Sequence, residues 1–204
     1  MSLTTKNTRK PVIIGITGAS GSILAQVVID RLLDMEWPVI VTASSAARIV
    51  WRQEIEESFG VSIERWMDSG LFTHYAIGDL AAPIASGTFP IQGMAIVPCS
   101  MATAAAVATG ISDNLLRRAA DVTLKERRNF VVVPRETPMT TIHLSNLGTL
   151  SSLGAIILPP HPAFYLDPQD IADIVDFIAE RVMLSLGVSD ALPTHLQYES
   201  SEAE

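Results

Sequence analysis

Two hydrophobic patterns alternate along the chain. Short, wholly apolar runs rich in β-branched residues fit strands buried on both faces. They occur at Pro11 to Ile16 (PVIIGI), Pro38 to Ala43 (PVIVTA), Gly93 to Val97, Phe130 to Val133 and Ala155 to Leu158, with Leu71 to Ile77 as an edge strand. Between them, apolar residues recur every three or four positions, the spacing of a helix with one buried face. Ile23, Leu24, Val27, Val28 and Leu32 predict one such helix, and Ile171, Ile174, Val175, Ile178 and Val182 another, capped by Asp167 with Pro168 in its first turn and closed by Gly187. Helices are also predicted at Ala46 to Glu57, Val61 to Asp68, Ala104 to Thr109, Asp113 to Glu126 (capped by Ser112) and Thr140 to Leu153.

Strand followed by helix, repeated without internal repeats, predicts an α/β fold: a Rossmann-like (flavodoxin-like) three-layer, doubly wound, mostly parallel sheet of about six strands. Residues 1–10 read as a disordered lead-in, 11–187 as a single domain and 188–204 as an acidic tail. In open α/β sheets, ligands bind outside the carboxyl ends of the strands. The loops expected there carry small or charged residues. Gly15, Gly18 and Gly21 punctuate the first turn, where small residues let backbone amides at a helix start approach a phosphate. This is neither G-x-G-x-x-G nor a Walker loop, and a tight turn without a ligand would read the same. The second strand ends in Thr42-Ala43-Ser44-Ser45, where a dinucleotide fold would place Asp or Glu; that counts against NAD and suits a phosphate or flavin. Pro98-Cys99-Ser100-Met101-Ala102-Thr103, the apolar loop Ala81 to Pro90 (which its composition suits either to packing over a flat ligand or to a subunit interface), Pro134-Arg135-Glu136-Thr137-Pro138 and His161-Pro162-Ala163-Phe164-Tyr165 follow later strands, and all six loops are expected to line one crevice. Arg135-Glu136 is a candidate anion site with an acid/base group, or a surface ion pair. Arg118 and Lys125, two turns apart, share a helix face, which a solvated face would also explain.

Of the 204 residues, 48% are hydrophobic and 18% charged, a balance that predicts a large core or apolar surface buried between subunits. A net charge of −8 argues against nucleic acid as a partner. Cys99 alone excludes an internal disulfide framework and reads as a core residue rather than a nucleophile, and the four histidines lack ligand spacing, so no metal is expected. No apolar run reaches the length of a bilayer span and no signal peptide is evident, so the expected location is cytoplasmic.

The motifs GITGASGS, APIASGTF, VPCSMAT, DNLLRRAADVTLKERR, VPRETP, IHLSNL and PPHPAFY resemble the UbiX-type flavin prenyltransferases, long described as aromatic-acid decarboxylase subunits, from about Pro11 to Gly187. The resemblance implies that a dimethylallyl group passes from dimethylallyl monophosphate to N5 and C6 of reduced FMN, without a metal. The product would serve a UbiD-type decarboxylase, and the enzyme would be a homododecamer with its site at an interface. By matching positions, it implies FMN contacts from Gly18, Ala19, Ser20, Ser44, Ser100, Met101, Ala102, Thr103 and Arg135. Ser86 would lie near the isoprenyl group, and Lys125, Tyr165 and Arg181 would hold the donor phosphate with Arg118 nearby. Ser20, Glu54, Lys125 and Glu136 would be catalytic, Glu136 as acid/base. Two departures stand out. Ser45 replaces the lysine usual at the start of the second helix, and the tail offers His195 or Tyr198 where many members place a Trp. The alternatives are a non-catalytic FMN-binding subunit of a decarboxylase complex and a flavin-dependent cysteine decarboxylase. The second is disfavoured because residues 44–60 lack a His and the loop reads PIASGTF.

Overall fold

The structure is a computed structural model that describes residues 8–198. The lead-in expected over 1–10 and the end of the acidic tail therefore fall largely on residues outside the described ones. Six strands form one sheet: β1 (Val12–Ile16), β2 (Val39–Ala43), β3 (Phe72–His74), β4 (Gly93–Cys99), β5 (Asn129–Pro134) and β6 (Ile156–Ile157). Their order is β3-β2-β1-β4-β5-β6 and every pairing is parallel. Strand order reverses between β1 and β4, which is where an open α/β sheet leaves a crevice at its carboxyl edge. The first, second and fourth strands are buried along their whole length, as their unbroken apolar runs require.

One face of the sheet is covered by α1 (Ser22–Asp34), α2 (Ser45–Glu54), α3 (Phe59–Met67) and α7 (Ile171–Leu186), whose inner residues join Val12, Ile14, Val131 and Val133 in one core. The other face carries α4 (Met101–Ala108), α5 (Leu115–Lys125) and α6 (Thr141–Ser152), packed on Ile13, Met94, Ile96 and Val132. Side chains alternate across each strand, so successive strand residues feed opposite cores. Gly15 is the close-approach point of the second core, since a Cβ there would lie 3.0 Å from Leu116 of α5. Under α2 and α3 sits an aromatic cluster in which Trp51 meets Phe59 edge-on at 5.1 Å and Trp66 at 5.9 Å.

Several expected boundaries shift, each for a local reason. The buried face of α1 is Leu24, Ala25, Val28, Ile29 and Leu32, while Ile23 is exposed. The cap of α5 is Asn114, whose side chain accepts the Arg117 N–H at 3.0 Å, rather than Ser112. The cap of α7 is Asp170, in a capping box with Asp173; Asp167 ends a preceding 3-10 turn in the left-handed region. Ile171 consequently lies outside the inner face and is 74% exposed. The helix expected over 46–57 stops at Glu54, and Ser58 caps a separate α3.

Candidate active site

The carboxyl ends of β1, β2, β4 and β5 are tied together by hydrogen bonds between their loops. The buried Thr17 hydroxyl donates to Pro98 O at 2.7 Å and accepts the Ser100 N–H at 2.7 Å. Ser44 N–H donates to Ile16 O at 2.9 Å, and Arg135 N–H to Cys99 O at 3.2 Å. These bonds bring the starts of α1, α2 and α4 side by side. Ser44 caps α2, accepting the Ala47 N–H at 3.1 Å, and Ser100 caps α4, accepting the Thr103 N–H at 3.3 Å. The first amides of α2 and α4, from Ser45, Ala46, Met101 and Ala102, have no partner within their own helices. Gly18 and Ala19 carry no hydrogen bond to any described residue, which leaves their amides open in the same place. Two helix starts with open amides, those of α2 and α4, together with the open loop amides of Gly18 and Ala19 and small side chains, make an anion cradle.

Gly18 is required by packing, because a Cβ on it would overlap the Ala46 Cβ and press on the Ala46 backbone at 3.2 Å. α2 thus begins against the first loop. It also ends there, since Glu54, its last residue, accepts N–H bonds from Gly21 at 2.9 Å and Ser22 at 2.7 Å. The helix therefore lies across the carboxyl edge like a bar. Burial works to raise the Glu54 pKa, but hydrogen bonds from Ser20, Ser22 and Gly21 outweigh it and hold the carboxyl below its usual value. Glu54 is ionised at neutral pH, and it occupies the α1 amides while leaving those of Gly18 and Ala19 free. Cys99 is fully buried, with its thiol pushed up to about 12 by desolvation, so it is no nucleophile here.

A flat phosphorylated cofactor fits this cradle: amides for the phosphate, small residues beneath a ring, and the Arg135 side chain exposed at its rim. The Flavoprotein family model matches residues 1–183. Flavin prenyltransferase UbiX of Alkalihalophilus pseudofirmus is 43% identical over 192 residues, covering 89% of this chain and 93% of that one. This chain belongs to the UbiX family of flavoproteins. Among solved relatives, AnUbiX (PadA1), crystallised with FMN and dimethylallyl pyrophosphate, is 34% identical with a TM-score of 0.86 over 96% of this chain and all of that one. A dodecameric FMN-dependent UbiX-like decarboxylase from Escherichia coli O157:H7 is 35% identical with a TM-score of 0.84, covering 94% of this chain and all of that one.

In this UbiX-family chain, a single protomer does not gather all the matched positions into one crevice. Gly18, Ala19, Ser20, Ser44, Glu54, Ser100, Met101, Ala102, Thr103 and Arg135 share the carboxyl edge, with half-buried Glu136 beside Arg135. Tyr165, after β6, lies on that edge too, its ring 5.8 Å from Tyr198 in an edge-on contact. Tyr198 is thus the tail residue whose ring meets a matched position, while His195 lines the same pocket. His195 turns to Asp176 of α7, at 3.4 Å.

The rest lies elsewhere. α5 runs antiparallel to the strands, so Lys125, at its end and four residues before β5, stands at the amino edge, paired with Glu126. The loop expected to cover the crevice follows α5 downward. Ala85 O accepts from Arg118 Nε at 3.0 Å, and the chain then reaches Pro11 O through Gln92 N–H at 2.9 Å before entering β4. Ser86 is therefore beside α5, bonded to Thr88 at 2.9 Å, and Arg118 is engaged with Ala85 and Asp121. Arg181 is exposed on α7, whose last residue, Leu186, accepts from Asn129 at the amino edge at 3.0 Å. At 1.5 Å per residue it lies roughly 15 Å from the start of α7. Lys125 and Arg181 stand on opposite faces of the sheet. Two residues that join this architecture lie inside the quoted motifs without being assigned a role there: Thr17, a hydroxyl directly after a buried strand, and Arg128, one of several cations at the end of α5.

Proposed function

We propose that this chain is a flavin prenyltransferase that moves the dimethylallyl group of dimethylallyl monophosphate onto N5 and C6 of reduced FMN. The cradle of the α2 and α4 starts and the Gly18–Ala19 amides, closed by the contact of Gly18 with Ala46, is the observation that carries this reading. Bound reduced FMN supplies the electron-rich ring edge that takes the prenyl group. Gly18, Ala19, Ser20, Ser44 and the Ser100 to Thr103 turn hold it through amides and hydroxyls, and Arg135 adds a cation at the rim. Glu54 keeps Ser20 and the α1 start in place through its three contacts. Lys125, Arg181 and Arg118 meet the charge that builds on the phosphate as its carbon–oxygen bond breaks and the bonding pair leaves with it. Tyr165 adds a hydroxyl to the same group, with Tyr198 packed against its ring. The apolar loop around Ser86 keeps water from the allylic carbon. Glu136 takes the proton displaced from the ring carbon.

Because Lys125 and Arg181 lie away from the cradle of their own protomer and on opposite faces of the sheet, each donor site in this reading takes its lysine and its arginine from two different neighbouring copies. A homo-oligomer, a dodecamer as in the Escherichia coli relative, supplies those copies. Ile142, 71% exposed, and Phe164, 80% exposed, are apolar surface that such contacts would bury. The functional unit is residues 11–187 with the following tail, in the cytoplasm, with a UbiD-type decarboxylase receiving the product. Among the described residues no helix is long and apolar enough to cross a membrane and no three His, Cys, Asp or Glu side chains gather as a metal set. Anaerobic incubation with reduced FMN and dimethylallyl monophosphate is expected to yield a flavin heavier by one C5H8 unit. Recovery of unmodified flavin from protein that demonstrably binds FMN would overturn the reading in favour of a non-catalytic flavin-binding subunit.

A further inference from the structure

The α5 flank contains one device that the reaction scheme leaves unused. α5 ends in a paired turn in which Arg127 N–H donates to Leu124 O at 3.0 Å and Arg128 N–H to Thr123 O at 3.1 Å. Arg127 takes a φ of 55° to make that turn, in the left-handed region where glycine is usual. The turn throws the half-buried Arg128 side chain beneath the apolar loop. Its guanidinium donates to Phe89 O at 2.8 Å through Nη1 and to Gly87 O at 2.6 Å through Nη2. One planar fork thus grips two carbonyls two residues apart with a separate nitrogen on each, a fixed geometry that the single nitrogen of an ammonium group does not reproduce. Gly87 itself lies against the end of α5: a Cβ there would sit 2.6 Å from Lys125 Nζ and overlap the Glu126 carboxylate. The loop and the lysine are therefore in contact at the point the fork holds.

We propose that Arg128 is a positioning residue that locks residues 86–89 to the end of α5, so that the apolar loop and Lys125 meet the prenyl donor as one rigid unit. This rests on the prenyl-transfer reading above. The loop would gauge the hydrocarbon chain while Lys125 holds the phosphate, and Arg128 sets the distance between the two. It touches neither donor nor flavin in this role.

The test uses the full-length protein with Arg128→Lys and Arg128→Ala. Three quantities are read: FMN affinity by flavin fluorescence, hydrogen exchange of amides 86–91 without donor, and steady-state constants for dimethylallyl and geranyl monophosphates. FMN affinity is expected to stay within about twofold, because the cradle is untouched. Loop exchange should accelerate, and the donor KM should rise about tenfold on loss of charge-assisted bonds. The preference for the five-carbon donor should narrow. Arg128→Lys should resemble Arg128→Ala, since charge without the fork does not hold the loop, and it carries the test alone if the alanine variant does not fold. Unchanged loop exchange and donor KM, or full restoration by lysine, would overturn the proposal. If the wild type leaves FMN unmodified, the prenyl-transfer reading fails by itself, while the exchange arm still decides whether Arg128 clamps the loop.

Discussion

The carboxyl edge and the amino edge of this sheet solve different problems. At the carboxyl edge, one protomer completes a cradle from four strand ends, and every piece is fastened to another: Thr17 to Pro98 and Ser100, Ser44 to Ile16, Arg135 to Cys99, Glu54 to the start of α1. At the amino edge, Lys125 and Arg181 occupy opposite faces, half-exposed or exposed, and neither is fastened to the cradle. A preorganised phosphate site needs backbone that does not move. A site that must admit a second substrate and release its phosphate gains from being closed by a separate body. In the proposed reading, the difference makes flavin binding chiefly a property of the protomer and donor binding a property of the assembly.

Two glycines allow that contrast to be broken on purpose. Gly18 abuts the Cβ and backbone of Ala46, which has nowhere to go because α2 is held at both ends. Gly18→Ala is expected to weaken FMN binding about a hundredfold, in line with ~3 kcal/mol of overpacking, as read by flavin titration. Gly87 abuts only the ends of the Lys125 and Glu126 side chains, which can swing aside. Gly87→Ala should leave the FMN titration unchanged and raise the donor KM only about three- to fivefold. An equal loss of FMN binding in both variants would erase the distinction between the two edges.

Much of the cradle was legible because it is written locally. A buried apolar run, then small residues, then a serine that caps a helix places Gly18, Ser44 and Ser100 on one edge without any tertiary knowledge. The six-stranded parallel sheet follows from the same grammar, whereas the order of its strands comes from the structure. The donor side was not legible in that way. The seven-residue spacing of Arg118 and Lys125 fixes a shared helix face, but it says nothing about which sheet edge the end of that helix reaches. The composition of the loop over 81–90 suits a cover for the crevice or a subunit interface, and Arg118 and Arg128 draw it down along α5, away from the crevice of its own protomer. The caps misplaced at Ser112 and Asp167 lie two and three residues from the true ones, Asn114 and Asp170. All four residues can cap, and the choice fell to the side chain that reaches the third amide of the helix. Ile23 and Ile171 carry helical apolar spacing yet lie exposed, a pattern that periodicity alone cannot separate from core.

The central claim, that one donor site draws Lys125 and Arg181 from different copies of the chain, is tested most directly by mixing two inactive variants. Lys125→Ala and Arg181→Ala should each bind FMN normally and each fail to transfer the prenyl group. Co-expressed in equal amounts, they should assemble so that about a quarter of the sites combine a native lysine from one copy with a native arginine from another, restoring about that fraction of activity. Mixed assemblies that form, bind FMN and remain inactive would show that both cations act from the same chain, and would contradict the account.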